Sequence, residues 1–409
     1  GRTYTESSKS FTLSQSLGAF HTSTTIILDS VYVGNSTHVV FYKDNNDYLA
    51  ARAVTIASDG TGTYGTENIL LSSTIEKYGS AYYDTSKSAA VVCYTTSTAQ
   101  AMAITVSGTT ITAGTAVSSG DAPSGSYNTH QHHATVYDET NNIGVWAYEG
   151  VYLGVRTISL GGTGNRTITL NTRVWAVSEG GLSPTKDSFA YDPSSEKCFL
   201  MYVDEANTDI DAVVISVSGT TVTAGTPAEI DAHSPFNGNV RGGIAANGSA
   251  QGGISIFWKN DNNYIRGAVA TISDTSFSVA NSADLNSEAI DSHQMSVAYK
   301  TTTRSNSVIY VSSASDELEQ VTHVPNGTVT ATNMPSDGES YIGIATKTVA
   351  DDAQAEVATF GQIDAQQSGL TAGQKYFVQD DGTLGTSASS TATMVAGKAL
   401  SATKLLISE

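Results

Sequence analysis

The sequence predicts an all-β protein, in which a six-bladed β-propeller is followed by a small C-terminal β module. Charged residues make up only 14% of the 409 residues, while glycine (37) and tyrosine (20) are plentiful. Alternating Thr, Val, Ser and Ile with few charges is typical of strands that have one solvated face. No stretch shows the apolar stripe of an amphipathic helix.

A recurring frame gives the number of blades. In this frame a strand ends in Tyr-Asp, a polar turn follows, and a second strand ends in an aromatic residue. Tyr83-Asp84, Tyr137-Asp138 and Tyr191-Asp192 lie 54 residues apart. Short strands repeated at about this period indicate stacked or radial units, and four antiparallel strands per repeat predict a propeller blade. The closing aromatic recurs six times, at steps of 52 to 56 residues: Tyr42, Tyr94, Tyr148, Tyr202, Trp258 and Tyr310.

Three regions are predicted from this repeat. Residues 1–30 form an N-terminal segment, in which 24–29 is expected to be a propeller-closing strand. The propeller covers 31–336, and the C-terminal β module covers 337–409, where Asp381-Gly382 predicts a hairpin turn. The predicted blades are 31–76, 77–128, 129–181, 182–238, 239–291 and 292–336. The strands predicted for the second blade are 80–84, 89–95, 100–107 and 110–117.

Charge and cysteine content exclude several classes of protein. The formal net charge is −19, from 39 acidic and 20 basic residues, and no basic cluster offsets it. Such a surface repels phosphate backbones, so nucleic-acid binding is not expected. No apolar run approaches the ~18 residues of a membrane span, so membrane insertion is not expected either. Cys93 and Cys198 are expected to be buried free thiols.

The run Tyr127-Asn128-Thr129-His130-Gln131-His132-His133 is the sharpest local feature. In a strand, His130 and His132 point to the same face, as two metal ligands would. The simpler interpretation is a group of exposed, hydrogen-bonded loop histidines. No cofactor is predicted.

Aromatic residues fall into two groups. The six closing aromatics obey the repeat, and are therefore expected to pack in or between the blades. Aromatics that break the repeat are better candidates for stacking on a sugar; these are Tyr127, Tyr152, Trp175 and Phe236. Acidic turns such as 44–47 and 204–211 could offer oxygen ligands to Ca²⁺, but hairpin turns need Asn and Asp in any case.

The C-terminal stretch resembles the end module of tail-fibre-like virion proteins of marine and cyanobacterial phages. The phrases that carry the resemblance are SGLTAGQKYFVQDDGTLGT at 368–386 and AGKALSATKLLI at 396–407. The blade copies also resemble the arrays that precede this module, for instance in VSGTTVTAGTP at 217–227. No N-terminal particle-attachment domain is evident in this sequence.

The resemblance implies a phage appendage exposed on the virion surface, which contacts other virion proteins and contributes to host adsorption through a surface glycan. It also implies a homotrimer, against which a monomeric native mass would count. No sialidase-type Ser-x-Asp-x-Gly-x-x-Trp turn, Gly-x-Ser-x-Gly, His-Glu-x-x-His or Walker loop occurs, so the protein is not expected to be an enzyme. The alternatives are a purely structural decoration or joining protein, and a polysaccharide depolymerase.

Overall fold

The computed structural model describes most of the chain, which divides into two compact units, Gly1–Pro325 and Asn326–Glu409. This division falls before the predicted boundary at 336/337. Strands make up most of the described residues, and the one helical element among them is a three-residue 3-10 turn, so the all-β prediction is confirmed. The described residues are 2–7, 10–16, 26–57, 61–76, 79–121, 133–149, 152–178, 182–204, 209–231, 243–247, 252–260, 262–286, 289–300, 305–313, 318–323, 344–345, 357–358, 363–365, 367–379, 384–388 and 395–407.

The first unit begins with a hairpin of β1 (Arg2–Ser7) and β2 (Ser10–Ser16), and six antiparallel sheets follow, which we call blades 1 to 6. Blade 1 contains β3 (Ile26–Gly34), β4 (Thr37–Lys43), β5 (Tyr48–Ile56), β6 (Gly62–Tyr64) and β7 (Asn68–Thr74). Blade 2 contains β8 (Gly79–Asp84), β9 (Ala89–Thr95), β10 (Ala99–Ser107), β11 (Thr110–Ala113) and β12 (Val117–Ser118). Blade 3 contains β13 (His133–Asp138), β14 (Ile143–Glu149), β15 (Leu153–Gly161), a short 3-10 turn (Thr163–Asn165), β16 (Thr167–Leu170) and β17 (Val174–Val177).

The remaining blades continue the same order. Blade 4 contains β18 (Leu182–Asp192), β19 (Lys197–Asp204), β20 (Asp209–Ser218), β21 (Thr221–Ala224) and β22 (Ala228–Asp231). Blade 5 contains β23 (Gly243–Ala246), β24 (Ile254–Lys259), β25 (Ile265–Ser273) and β26 (Ser276–Asp284). Blade 6 contains β27 (Ile290–Lys300), β28 (Ser305–Ser312) and β29 (Leu318–His323).

Each blade is an up-and-down meander whose first strand contacts the first strand of the next blade, from β3 through β8, β13, β18 and β23 to β27. Sheets arranged radially in this way form a β-propeller. The predicted strands of blade 2 match β8 to β12, except that the fourth strand is broken in two. In blades 1 to 4 both pieces of that outer strand pair with the third strand. Closure of the six blades into one ring stays a prediction.

The predicted closing strand at 24–29 is wrong for its described part. Residues from Ile26 onward belong to β3, the first strand of blade 1, and Ile26 lies opposite Lys43 on β4. Leu28 explains this placement, because its side chain is 2% exposed and packs in the core between blades 1 and 2. An apolar residue that is buried against the next blade holds the segment in its own sheet.

Apolar cores lie between consecutive blades, from blades 1 and 2 to blades 5 and 6. Strand β9 shows the effect, because all seven of its residues are buried. Alternate side chains point to opposite faces of a strand, so a neighbour on each side buries both sets. The six closing aromatics are at most 4% exposed, and Cys93 and Cys198 are buried free thiols, as predicted.

The aspartate of each Tyr-Asp pair closes the turn of its own blade. This residue is 1% exposed in all three blades, and its carboxylate accepts a backbone N–H from the turn. A short polar side chain that accepts in this way satisfies a donor that the tight turn leaves unpaired. The bonds are Lys87 N to Asp84 Oδ1 (3.0 Å), Asn141 N to Asp138 Oδ1 (3.0 Å) and Ser194 N to Asp192 Oδ1 (3.1 Å).

The tyrosine of the pair reaches back to the turn of the preceding blade. The hydroxyl of Tyr191 on blade 4 is hydrogen-bonded to the hydroxyl of Thr140 on blade 3 at 2.6 Å. One blade earlier, the hydroxyl of Tyr137 accepts the backbone N–H of Ser86 at 3.4 Å. Both partners lie two residues after the aspartate of their own turn. The repeated pair therefore closes one turn and attaches the blade to the previous one.

A glycine at the break of the outer strand lets the next blade approach. A Cβ built on Gly65 would lie 2.6 Å from the Thr109 carbonyl oxygen of blade 2, so no side chain fits there. Gly114 of blade 2 has the same relation to the Arg166 carbonyl of blade 3. The close contact is to backbone, which cannot move aside as the end of a flexible side chain can. These glycines set the spacing between blades.

His133 is a buried polar contact between blades 2 and 3. Its Nδ1 accepts the indole N–H of Trp146 at 3.1 Å, so its Nε2 carries the proton and donates to the Thr95 hydroxyl at 2.7 Å. Burial lowers the pKa of His133 to about 3. The ring is therefore a neutral structural group, unlike an exposed loop histidine.

The second unit contains a short ladder and one larger sheet. The ladder pairs β30 (Ile344–Ala345) with β31 (Val357–Ala358), and the sheet has the order β32-β36-β35-β33-β34. Its small core includes Leu370, Tyr376, Ala396 and Leu405. The strands of the sheet are β32 (Ile363–Asp364), β33 (Lys375–Val378), β34 (Leu384–Gly385), β35 (Val395–Ser401) and β36 (Lys404–Ile407).

We expect Gly114→Ala to lower the free energy of unfolding by about 1–3 kcal/mol, because the added methyl group would overlap the Arg166 carbonyl. Urea unfolding followed by tryptophan fluorescence measures the change. Gly108→Asn is the matched control, since Gly108 has a φ of +59, a Cβ built there has nothing within 4 Å, and Asn tolerates that conformation. Equal stability of the two variants would contradict the close-approach explanation.

Acid is expected to destabilise the propeller through His133. In the unfolded chain the histidine binds a proton below its ordinary pKa of 6.5, whereas the buried ring resists protonation down to about pH 3. Stability is therefore fully present above pH 6.5 and falls as the pH drops below it, by up to about 1.4 kcal/mol per pH unit.

Urea unfolding at several pH values between 7.5 and 4 tests the role of His133. His133→Asn should be less stable at pH 7.5, and its stability should fall less steeply with acid by about one proton. An unchanged slope in this variant would show that other groups carry the acid response.

Candidate functional site

Two of the residues predicted from the sequence come together in blade 3. Tyr152 precedes β15 and Trp175 lies on β17, and their rings meet edge to face with centroids 5.4 Å apart. Tyr152 is 36% exposed and Trp175 is half-buried, so the pair reaches the surface. The other candidates, Tyr127, Phe236, His130 and His132, lie outside the described residues.

The surroundings of this pair differ from those of the equivalent residues in other blades. We define a row as three residues that lie opposite one another on the second, third and outer strands of a blade, beginning with the closing aromatic. In each row the closing aromatic lies opposite a residue of the third strand, which in turn lies opposite a residue of the outer strand. Only the blade 3 row places a second aromatic residue beside the closing one, across a glycine. The rows of blades 1 to 5 are Tyr42–Ala50–Ile69, Tyr94–Gln100–Ser118, Tyr148–Gly154–Trp175, Tyr202–Asp211–Glu229 and Trp258–Arg266–Asp284.

Gly154 opens the space that the two aromatic residues share. A Cβ at this position would lie 3.2 Å from each of three atoms: Tyr148 Cζ, Trp175 Cζ3 and Arg173 Cδ. Three side chains thus converge over one backbone position that carries no side chain of its own. A methyl group at 154 would require these side chains to shift by a few tenths of an ångström, so the glycine permits their close convergence.

Asp121 joins the cluster from the end of blade 2. Its Oδ2 accepts the hydroxyl of Tyr148 at 2.5 Å and the guanidinium of Arg156 at 3.1 Å, while Oδ1 is paired with Arg173. Two arginines of blade 3 therefore share one carboxylate of blade 2. Asp231 at the end of blade 4 accepts the indole N–H of Trp258 in blade 5 at 2.6 Å, so a carboxylate that crosses between blades is a recurring device.

Arginine also covers the aromatic rings of the cluster. The guanidinium carbon of Arg173 lies 3.7 Å from the ring centroid of Trp175, and that of Arg156 lies 5.6 Å from the ring of Tyr148. Such cation–π contacts are worth about 0.5–2 kcal/mol, more where water is excluded. Burial raises the pKa of Tyr148 to about 12, although Arg156 acts in the opposite direction. The phenol therefore stays protonated and donates to Asp121.

The corresponding row of blade 4 is acidic. Burial, followed by the nearby charges of Asp204, Asp209 and Glu229, raises the pKa of Asp211 to about 6, while a hydrogen bond with Tyr202 lowers it.

Among the described residues, no group of three or more His, Cys, Asp or Glu could hold a metal ion.

The predicted Ca²⁺ alternative fits the structure poorly at residues 44–47. Asp44 Oδ1 accepts the backbone N–H groups of Asn46 (2.9 Å) and Tyr48 (2.8 Å), as a turn residue does. The other acidic turn, 204–211, includes residues outside the described part of the chain. In the part that the structure describes, no helix is long and apolar enough to cross a membrane.

Sequence reasoning missed the polar half of this site. Asp121, Arg156 and Arg173 come from three separate segments, and their meeting depends on the register of blade 3 and on the contact between blades 2 and 3. One signal was available in the sequence. Arg156 is the one charged residue of the strand LGVRTISL (153–160), in a chain that has only 20 basic residues.

Comparison with known proteins supports the fold of this chain but does not assign it to a family. No protein-family model matches the chain, and no curated protein matches it either. Among solved structures, the chain is similar to the BP39L lectin from Burkholderia pseudomallei, with a TM-score of 0.54 and 11% sequence identity over 72% of this chain and 79% of that chain. At this identity the likeness supports the propeller fold alone.

Two weaker similarities lie in proteins of different activity. The periplasmic gluconolactonase PpgL from Pseudomonas aeruginosa has a TM-score of 0.48 and 10% identity, over 72% of this chain and 85% of that chain. A point mutant of the Aleuria aurantia lectin AAL, in complex with Fucα1-6GlcNAc, has a TM-score of 0.39 and 11% identity, over 75% of this chain and 97% of that chain. Lectins and a lactonase therefore both occur among the structural neighbours.

We expect Asp121→Asn to lower the free energy of unfolding by about 2–4 kcal/mol, because Arg156 is only 8% exposed and would lose its charged partner. Urea unfolding of the full chain measures the effect. Asp274→Asn is the control, since Asp274 lies in an exposed turn and the net charge changes equally. If both variants lost the same small amount, the interblade ion pairs would contribute nothing.

Proposed function

We propose that this protein is a non-enzymatic, glycan-binding β-propeller, and that the blade 3 cluster of Asp121, Tyr152, Arg173 and Trp175 contacts the sugar. The observation that carries the proposal is the pair of surface aromatics beside a polar, hydrogen-bonding edge. A pyranose ring has one face of C–H groups, which packs on an aromatic ring, and hydroxyl groups that pair with charged side chains.

The geometry of Asp121 supports binding over catalysis at this site. Both carboxylate oxygens are occupied, Oδ2 by Tyr148 and Arg156 and Oδ1 by Arg173. A glycosidase needs one carboxyl group that can give a proton and a second that can attack or activate water. A carboxylate held by three donors is suited to neither task. It is suited to fixing the two arginines.

We further propose that the protein is a tail-fibre-like appendage of a phage virion, where it lies on the particle surface, forms a homotrimer and contributes to host adsorption. The support is the sequence resemblance of 368–386 and 396–407 to the end module of such proteins. Glycan binding on a propeller agrees with a role in adsorption, because bacterial surfaces are rich in polysaccharide. A purely structural decoration protein would carry no such site.

Binding to host-surface polysaccharide tests the function. The full chain should be retained by the immobilised polysaccharide without shortening it. Trp175→Ala should weaken retention about tenfold or more, since it removes the larger ring of the pair. Tyr32→Ala is the matched control, because Tyr32 is a 55% exposed aromatic on blade 1.

Two outcomes would contradict the proposal. Shortened polysaccharide chains would identify a depolymerase. A folded protein that is not retained by any host glycan would favour the structural role.

A further inference from the structure

The charge of the blade 3 cluster differs from that of the chain as a whole. The cluster contains two guanidinium groups, Arg156 and Arg173, and one carboxylate, Asp121, whereas the whole chain has 39 acidic and 20 basic residues. Glu149 does not offset the excess, because it follows Tyr148 on β14 and therefore points to the opposite face of the sheet. Counting the described residues alone, the cluster thus keeps one positive charge.

The two arginines also keep hydrogen-bond donors that Asp121 does not use. Arg156 is 8% exposed, and its Nε has no partner among the described residues. Because this Nε is buried, a ligand does not reach it, and Arg156 contributes its positive charge through the carboxylate that it shares with Arg173. The side chain of Arg173 is 27% exposed and its guanidinium stacks on the ring of Trp175, so this arginine is partly accessible to solvent beside the surface aromatics.

The blade 5 row provides a contrast. There Arg266 has Asp284 opposite to it in the same row, and the Nε of Arg266 lies 3.3 Å from Asp284 Oδ1, so one arginine meets one carboxylate. In blade 3 the carboxylate is shared between two arginines and is supplied by another blade. Compared with this row of blade 5, the blade 3 cluster thus has one more arginine for its single carboxylate.

We infer that the ligand of the blade 3 cluster is an acidic sugar, whose carboxylate pairs with the partly exposed guanidinium of Arg173 while its ring packs against Trp175 and Tyr152. This inference rests on the proposed glycan-binding function. Guanidinium groups match the planar carboxylate with two parallel hydrogen bonds, which favours uronate or sialate groups over neutral hydroxyls. The acidity of the remaining surface disfavours non-specific binding of polyanions, so the contact must be local.

The test compares acidic glycans with their neutral forms. Oligogalacturonate, hyaluronan oligosaccharide and sialyllactose are immobilised, each as the free acid and as the methyl ester, together with neutral malto-oligosaccharides, fucosylated oligosaccharides and a sulfated glycan. Binding of the full chain is measured at about 0.15 M NaCl, where long-range repulsion is screened beyond about 8 Å. At least one free acid should bind about tenfold or more tightly than its methyl ester.

Variants of the protein identify the residue that recognises the carboxylate of the sugar. Arg173→Gln should remove the preference for the acid while leaving the weaker binding of the ester, and Trp175→Ala should weaken both. Lys398→Gln, on an exposed residue of the second unit, changes the net charge by the same amount and should bind as the unaltered chain does. Thermal unfolding of each variant confirms that a loss of binding is not a loss of fold.

The outcomes separate this inference from the proposed function. Equal binding of acid and ester, or a preference for neutral glycans, overturns the acidic-sugar inference and leaves glycan binding intact. A preference for the sulfated glycan overturns the assignment of a carboxylate. If the chain binds none of the immobilised glycans, both proposals are overturned. An acid preference that survives Arg173→Gln also contradicts the inference, because it places the contact elsewhere.

Discussion

The structure depends on one constraint, which is that a blade has no core of its own. Each sheet is one layer thick, so its two apolar faces are buried only when a neighbouring blade covers each of them. The wholly buried strand β9 is a direct result. The contacts that hold neighbours at the correct distance are therefore as important as the apolar residues. Glycines such as Gly65 and Gly114 allow that distance, and tyrosines such as Tyr191 fix it.

Much of the fold could be predicted from the sequence, because the blades of a propeller recur at a nearly constant interval along the chain. The burial of the closing aromatics and the strands of blade 2 follow from spacing and alternation alone. The break that divides the outer strand into two pieces could not be predicted from spacing and alternation. It depends on the carbonyl oxygen of a residue some fifty positions away, such as Arg166 for Gly114. The predicted closing strand near residue 26 was wrong because the burial of Leu28 against blade 2 depends on a contact between blades, which no local stretch of sequence shows.

The candidate site was predicted only in part, for a related reason. Tyr152 and Trp175 stood out because they break the repeat, and the structure brings them together. The charged residues beside them do not stand out from the repeat in the sequence. Asp121 resembles any acidic turn residue until the register of blade 3 and the position of blade 2 are known. The row Tyr148–Gly154–Trp175 is likewise a property of three strands, which no single window of sequence contains.

The backward contact of the Tyr-Asp pair has a consequence for how such a chain can grow. The tyrosines of blades 3 and 4 each meet the turn of the blade before, and blades 2 to 4 each carry both a tyrosine and a turn. A tandem duplication of one of these copies would therefore place a tyrosine against a turn at the one new junction, without any further substitution. Gene duplication in whole copies is thus compatible with the existing contacts between blades. A duplication of a fraction of a copy would separate the partners.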